Sequence, residues 1–303
     1  MEKSKLLLAV LLLTGLSPVF AQEEQPKTVK RISISDIYIQ TGFFLERSTS
    51  GTLTDFKTLA PQSVLLNSDF TGYSSSNGLS LTGNTMFSVM LGIQFSDKQK
   101  TTYKANPLLR LGVCYLSGTT LTDNLFKEDR QTYDTLTSAQ TGQTVYIDSV
   151  TTKSSGMNYS SEQLRFDVSL IFRTNPEARW SLYTGIGITA GLSFNANTDI
   201  YYSKYDRTET RNPNGNSSSS SYSSYFGSNN NSQTERFRNK NNFGLSTNIP
   251  MGVDFRIGKK REFWKRTHLF YELRPGINIT SIPELRTIAN ASLQHGLGLK
   301  VSW

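Results

Sequence analysis

Cysteine is nearly missing from this chain of 303 residues: Cys114 stands alone, so an internal disulfide framework and a thiolate metal site are both excluded. Histidine is almost as scarce, and His268 and His295 are too few for a histidine-cluster metal centre. No glycine loop of the kind that cradles phosphate opens any segment. Past residue 21, no apolar run nears the ~20 residues that a membrane-spanning helix needs. If the body of the chain enters a bilayer, it does so as strands. No cofactor and no metal is expected.

Residues 1–21 have the build of a cleavable export signal. Lys3 and Lys5 precede the apolar core Leu6 to Leu13, then come the breakers Gly15 and Pro18 and the small Ala21 ahead of Gln22. No cysteine follows the cut, so a lipid anchor there is not expected. A short periplasmic segment, 22–36, would lead into the body, 37–303.

That body alternates with period two. In its last stretch Leu297, Leu299, Val301 and Trp303 share one face, and Gly296, Gly298, Lys300 and Ser302 share the other. Seven more stretches behave alike, near 37–47, 86–95, 108–117, 163–173, 180–194, 243–257 and 268–279. Each is close to, or longer than, the ~9–11 residues with which a tilted strand crosses a bilayer. On the apolar faces the one titratable group besides tyrosine is His295. The opposite faces hold Glu46, Arg110, Arg165, Asp167, Asp254, Arg256, Glu272, Arg274 and Lys300.

A soluble sandwich could show this periodicity with its faces exchanged. Connection lengths separate the two. Long polar segments follow stretches one, three and five (about 48–79, 119–161 and 195–242), a shorter one, 280–290, follows the seventh, and tight turns follow the second, fourth and sixth. Short turns at one rim, long loops at the other and an even strand number belong to transmembrane barrels. The expected fold is all-β, an eight-stranded antiparallel transmembrane β-barrel with long extracellular loops. Strand-like residues at Tyr133–Leu136 and Val145–Val150 predict that the third and fourth strands project beyond the membrane as a hairpin. The Ser/Asn-rich stretch 212–233 predicts a flexible loop. Pro250 and Pro275 fall inside strands, each removing a ladder donor, and predict a bulge or register shift.

The formal charge of +8 suggests nucleic acid until it is placed. Without Glu2, Lys3 and Lys5 it is +7, and the three short turns carry +2, +1 and +4 of that, a basic collar on one rim. Such a collar, with Trp180 and Trp264 as interface aromatics, holds a barrel at the phospholipid headgroups or meets an anionic periplasmic partner. No nucleic-acid partner is expected, because no aromatics interleave with the basic residues on one face. Inside, Arg110, Arg165, Asp167, Asp254, Arg256, Glu272, Arg274 and Lys300 predict a cross-paired charge network. An eight-stranded barrel has a lumen that its side chains just fill, and inward glycines would make room for arginines from neighbouring strands.

Gly298, Val301 and Trp303 match the Gly-x-x-apolar-x-aromatic ending that bacterial outer-membrane barrels carry on their C-terminal signal strand. Gly296 stands where a polar residue is usual. The body as a whole resembles small outer-membrane barrels of the OmpA/OmpX type. Its Gln22, Ser/Asn loops and basic turns look like barrels of Bacteroidota, including PorT-like ones. The resemblance implies a place in the outer membrane, with its lipids and the barrel-assembly machinery as partners; it brings no motif for an activity.

The function expected is therefore that of a non-enzymatic barrel whose surface loops bind a protein partner or serve as a scaffold. An accessory subunit of a secretion or nutrient-uptake complex is the alternative. A lipid A-modifying enzyme is less favoured: such barrels use a lipid-facing His with a Ser, whereas the same-face neighbours of His295 are Leu293 and Leu297. His268 is expected at the basic rim. Asp134-Thr135-Leu136 and Asp148-Ser149-Val150 match a loose O-glycosylation pattern of Bacteroidota, making Thr135 and Ser149 candidate sugar acceptors, against the plainer alternative of an exposed hairpin kept soluble by its acids.

Overall fold

A computed structural model of the chain describes residues 33–75, 81–94, 106–175, 178–211, 231–258 and 260–302. The expected export signal, Trp303 and most of the Ser/Asn-rich stretch lie outside these residues. In order come β1 (Ser33–Arg47), β2 (Thr49–Ser50), α1 (Leu53–Leu59), β3 (Ser74–Ser75), β4 (Leu81–Gln94), β5 (Asn106–Thr137) and β6 (Thr144–Arg173). They are followed by β7 (Trp180–Arg211), β8 (Asn231–Arg238), β9 (Phe243–Asn248), β10 (Met251–Arg256), α2 (Glu262–Arg266), β11 (Thr267–Ser281) and β12 (Thr287–Ser302).

The sheet closes on itself. β8, β9 and β10 run end to end as one interrupted stave, since β9 and β10 each pair with β7 on one side and β11 on the other. From there β11 pairs with β12, β12 with β1, and β1, β4, β5, β6 and β7 follow as antiparallel neighbours. The eight expected staves are thus present, as a transmembrane β-barrel. β1 opens at Ser33, ahead of Ile37, because Ile34 and Asp36 already pair with β4 across a bulge.

Faces fall as the alternation requires. Phe166, Trp180, Leu182 and Ile186 stand outward and exposed, while Arg110, Arg165, Glu272 and Lys300 are buried in the lumen. The prolines are accommodated differently from expectation. Asn248 pairs with Gly276 and Met251 with Leu273, one unbroken register across the gap between β9 and β10. Pro250 interrupts the ladder without shifting it, and the Ile249 N–H donates to the Pro275 carbonyl at 2.9 Å. A proline missing one N–H needs no extra residue when the flanking pairs hold the register.

Three staves outrun the membrane. β5, β6 and β7 have 32, 30 and 32 residues against 15 and 16 in β11 and β12, so at ~3.3 Å per residue they reach about 100 Å, far more than a hydrocarbon layer of about 30 Å. The described residues of the segments 119–161 and 195–242, expected as long loops with a hairpin in the first, are mainly strand. Together with β8 they build a four-stranded extracellular sheet. Bulges mark its base: pairing steps from Thr119 to Leu121 in β5, and from Ser193 to Asn195 in β7. Of the stretch 212–233, residues 212–230 lie outside the described residues, and Asn231–Gln233 open β8.

The segment after β1 is a folded cap rather than a polar loop. Thr52 and Asp55 form a reciprocal capping box at the start of α1, with bonds of 3.1 and 2.9 Å. This aims Phe56 and Leu59 at Leu121, Met157, Tyr159 and Ile200 on the inner face of the extracellular sheet, where all are buried. Ser63 and the backbone of Val64 bond Glu235 of β8 at 2.5 and 3.2 Å, fixing the cap's far end. Phe56→Ala should cost about 3–5 kcal/mol of local stability. Limited proteolysis should then cleave within 48–75 much faster than in wild type, while the barrel keeps its heat-modifiable electrophoretic migration.

Candidate functional site: packed lumen and projecting sheet

Charges in the lumen lie in three levels rather than one network. At the periplasmic end Asp254 of β10 takes both the Lys300 ammonium of β12 and His268 of β11, the latter at 2.7 Å. His268 is therefore a buried lumen residue, not a rim residue. Beside them Arg173 of β6 lies 3.5 Å from Asp36 of β1. Both were hidden from periodicity, Arg173 as the end of a turn and Asp36 as part of the leader segment, so one charge of the basic collar belongs inside. Arg256 is half-buried at the same mouth, opposite His268 in register.

At the middle level Glu272 of β11 receives Arg110 of β5 at 2.6 Å and Arg274 at 2.5 Å, and Arg274 continues to Asp167 of β6. β5 and β11 stand four staves apart in the ring of eight, so the Arg110–Glu272 pair spans the lumen. Tyr38 and Tyr183 flank the Arg110 guanidinium, 5.5 and 5.7 Å from ring centre to Cζ. At the upper level Arg165 is held by Gln163 Oε1 and Asn278 Oδ1, both at 2.7 Å, and Asn278 in turn donates to Glu46 at 3.1 Å. Arg165 and Glu46 are thus bridged by an amide instead of paired directly.

Glycines fit the packing, but not chiefly as room for arginine. A Cβ on Gly298 would stand 2.5 Å from the Phe270 ring and 2.5 Å from the Ile39 carbonyl. The glycine of the end-strand pattern is therefore required by a close lumen contact, whatever recognises the strand. Space for arginine lies at Gly244, where a Cβ would meet Arg165 at 2.3 Å. Val301 is half-exposed, opposite Ile37 and Thr267; Trp303 lies outside the described residues. A cavity of about 20 Å³ beside Phe44, Glu46 and Arg165 has room for about one water. Among the described residues no group of three His, Cys, Asp or Glu side chains is placed to hold a metal ion. Outside, His295 lies against the Phe43 ring, 5.6 Å between centroids.

Above the membrane an ion-pair lattice ties β5, β6 and β7. Arg130 meets Asp148, Glu128 and Glu209 at 3.2, 3.2 and 2.7 Å, Arg207 meets Glu128 and Glu209 at 2.7 and 2.6 Å, and Arg211 meets Asp148 at 2.9 Å. Val150 is fully buried beneath them. Hydrogen bonds from Arg211 and Thr132 hold the Asp148 carboxyl down at about 2. The acid of the Asp148-Ser149-Val150 pattern is thus a structural anchor. Ser149 and Thr135 are both exposed, but on opposite faces of the sheet, since Thr135 pairs with Tyr146, three positions from Ser149 along β6.

No family model and no curated protein matches the chain. Among solved structures it is similar to Neisserial surface protein A, with 10% identity over 88% of this chain and 97% of that one and a TM-score of 0.26. It is also similar to Ail, the attachment invasion locus protein of Yersinia pestis, in complex with the heparin analogue sucrose octasulfate, with 10% identity, 88% and 99% coverage and a TM-score of 0.22. At such distance the likeness carries no functional argument, and the barrel rests on its own strand pairing.

Glu272→Ala leaves two buried guanidiniums facing each other and should cost about 3–5 kcal/mol, whereas the joint change Asp254→Leu, Lys300→Met and His268→Leu removes a whole polar cluster with no partner left behind and should cost far less. Urea unfolding followed by tryptophan fluorescence would rank the two variants. Because the Asp148 pKa is depressed on folding, its contribution is complete above the usual carboxylate range and is lost as pH falls from about 4 towards 2. Hydrogen exchange at the tips of β5–β7 should stay slow from neutrality to about pH 4 and speed up below it; Asp148→Asn should be fast already at neutral pH.

Proposed function

We propose that this protein is a non-enzymatic surface barrel of the outer membrane whose extracellular sheet presents a preformed binding face to a protein partner. The observation that carries this proposal is the rigid construction outside the bilayer. Three staves continue as an extracellular sheet with its own apolar core and ion-pair lattice, a large ordered surface that membrane anchoring alone does not require. A preformed face loses little entropy on binding. The lumen below is crossed by Arg110–Glu272 and Arg274–Asp167, which favours a plug over a solute path. His295, set on Phe43 between Leu293 and Leu297, supports no lipid-hydrolysing chemistry.

Within the same proposal the barrel-assembly machinery reads the end strand at Gly298, Val301 and Trp303, and Thr135 and Ser149 are sugar acceptors at the sheet's tip. The affinity with Bacteroidota PorT-like barrels also stays at the level of proposal, resting on Gln22, the Ser/Asn loops and the basic turns.

Photo-crosslinking residues placed at Tyr133 or Leu136, both more than half exposed at the tip, should give a discrete protein adduct on living cells. The same residue at lipid-facing Phe166 should give none. Adducts at neither tip position, or equal adducts at Phe166, would overturn the binding role. Purified protein in planar bilayers should show no steady porin-like conductance, and a stable large conductance would refute the plug.

A further inference from the structure

The outward face of the barrel does not end where its apolar belt ends. Phe87, Tyr115 and Leu164 form the top row of hydrocarbon-facing side chains, in register across β4, β5 and β6. Directly above them Thr85, Ser117, Glu162 and Asn195 are in register, and above these lie Thr119, Ser160 and Asn197. The two polar rows line a groove of about 300 Å³. It forms because β4 parts from β5 beyond Thr85 while staying paired with β1, and the bulges at Thr119/Leu121 and Ser193/Asn195 turn the strands just here.

Its chemistry is narrow. The lining offers hydroxyls and amides, which both donate and accept, and its single charge is the Glu162 carboxylate. Asn195 donates to Glu162 at 3.4 Å and Asn197 donates to Asn195 at 2.9 Å, a chain that orders the amides beside the hydroxyls of Thr85 and Ser160. A carboxylate repels a phosphate, so the groove suits a neutral polyol. Further up the same face Phe126, Tyr201 and Tyr205 are 44%, 40% and 37% exposed. Small residues lie between them: Gly156 pairs with Tyr201, and Ser154 with Phe126 and Ser203. Aromatic rings over a flat, small-residue floor fit the C–H faces of sugar rings, one side apolar and the rim hydroxylated.

From this placement we infer that the groove above the belt is a binding site for the oligosaccharide headgroup of an outer-leaflet glycolipid, whose sugars run upward over Tyr201, Phe126 and Tyr205. The source is a lipid of the same membrane because the groove opens in the row next to hydrocarbon-facing Phe87, Tyr115 and Leu164, where acyl chains lie. The inference rests on the outer-membrane placement proposed above, but not on a protein partner at the sheet's tip.

The test is native mass spectrometry of the full protein in detergent, titrated separately with a neutral diglycosyl diacylglycerol, with phosphatidylethanolamine and with the acyl-free neutral oligosaccharide. The neutral glycolipid should be retained at least about tenfold more tightly than phosphatidylethanolamine. Ser160→Trp, which fills the groove, should erase that difference. Tyr201→Ala with Tyr205→Ala, at partly exposed positions, should reduce it severalfold, and heat-modifiable migration reports whether each variant is folded. Equal retention of both lipids by wild type, or undiminished preference in the folded Ser160→Trp or the double tyrosine variant, would overturn the site. Binding of the free oligosaccharide as tightly as the glycolipid would overturn its membrane-borne source. Fractionation of cells making the same variants reports the outer-membrane placement separately.

Discussion

A backbone crossing hydrocarbon must satisfy every N–H and C=O within itself, and the other features of this molecule follow from how it does so. The sheet closes with β10 and β9 against β11 and β12 against β1, leaving no edge inside the membrane. Eight staves make a lumen that side chains fill. What fills it then decides whether the closed register is unique.

Charge is a costly filling, and hydrocarbon of the same volume would often be as stable. Its use here is geometric. Arg110–Glu272 ties β5 to β11 across the ring, Arg274–Asp167 ties β11 to β6, Asp36–Arg173 ties β1 to β6, and Lys300–Asp254 ties β12 to β10. A slip of one residue in any of these strands would carry its charge to the lipid face, at ~2–4 kcal/mol for an arginine or lysine near the midplane. The apolar exterior alone would resist such a slip weakly where strands are rich in threonine and serine. Paired charges in the lumen make the register specific from both faces.

Most of the membrane part was legible because a half-buried strand writes its burial into period two. Phe87, Val89 and Leu91, or Arg165 and Asp167, could be assigned to a face without any structure. Legibility failed where that code breaks for a physical reason. At the bulges near Thr120 and Phe194 one extra residue inverts the parity of β5 and β7, so Thr122 and Asn124 continue the outward face that Tyr115 and Ser117 began. A fixed period of two therefore fails at a point where the strand goes on. In β6 parity persists, but both faces of 144–161 are rich in serine and threonine, and alternation without contrast carries no signal. Asp36 and Arg173 stood at strand ends, where no neighbour fixed their face. The cap helix could have been found from Thr52 and Asp55 flanking an apolar pair, Phe56 and Leu59; the long polar context concealed it.

The outward face records the sequence of solvents that the same strands traverse. Leucine, phenylalanine and valine give way to threonine, serine and asparagine over two rows, then to exposed tyrosines, and finally to the Arg130–Asp148–Arg211 lattice. Backbone pairing of β5, β6 and β7 is continuous through all four zones. An isolated hairpin of that length would be marginal in water. Here it is anchored below by the barrel, braced on its inner face by Phe56 and Leu66 of the cap, and locked at the tip by ion pairs over Val150. The inner face of the extracellular sheet is thus committed to packing. Apart from Val150, buried beneath the ion pairs, and Asp148 and Asp199, buried beside their arginine partners, the outer face keeps its side chains exposed or half-exposed from the headgroup zone to the tip, and recognition has that surface available to it.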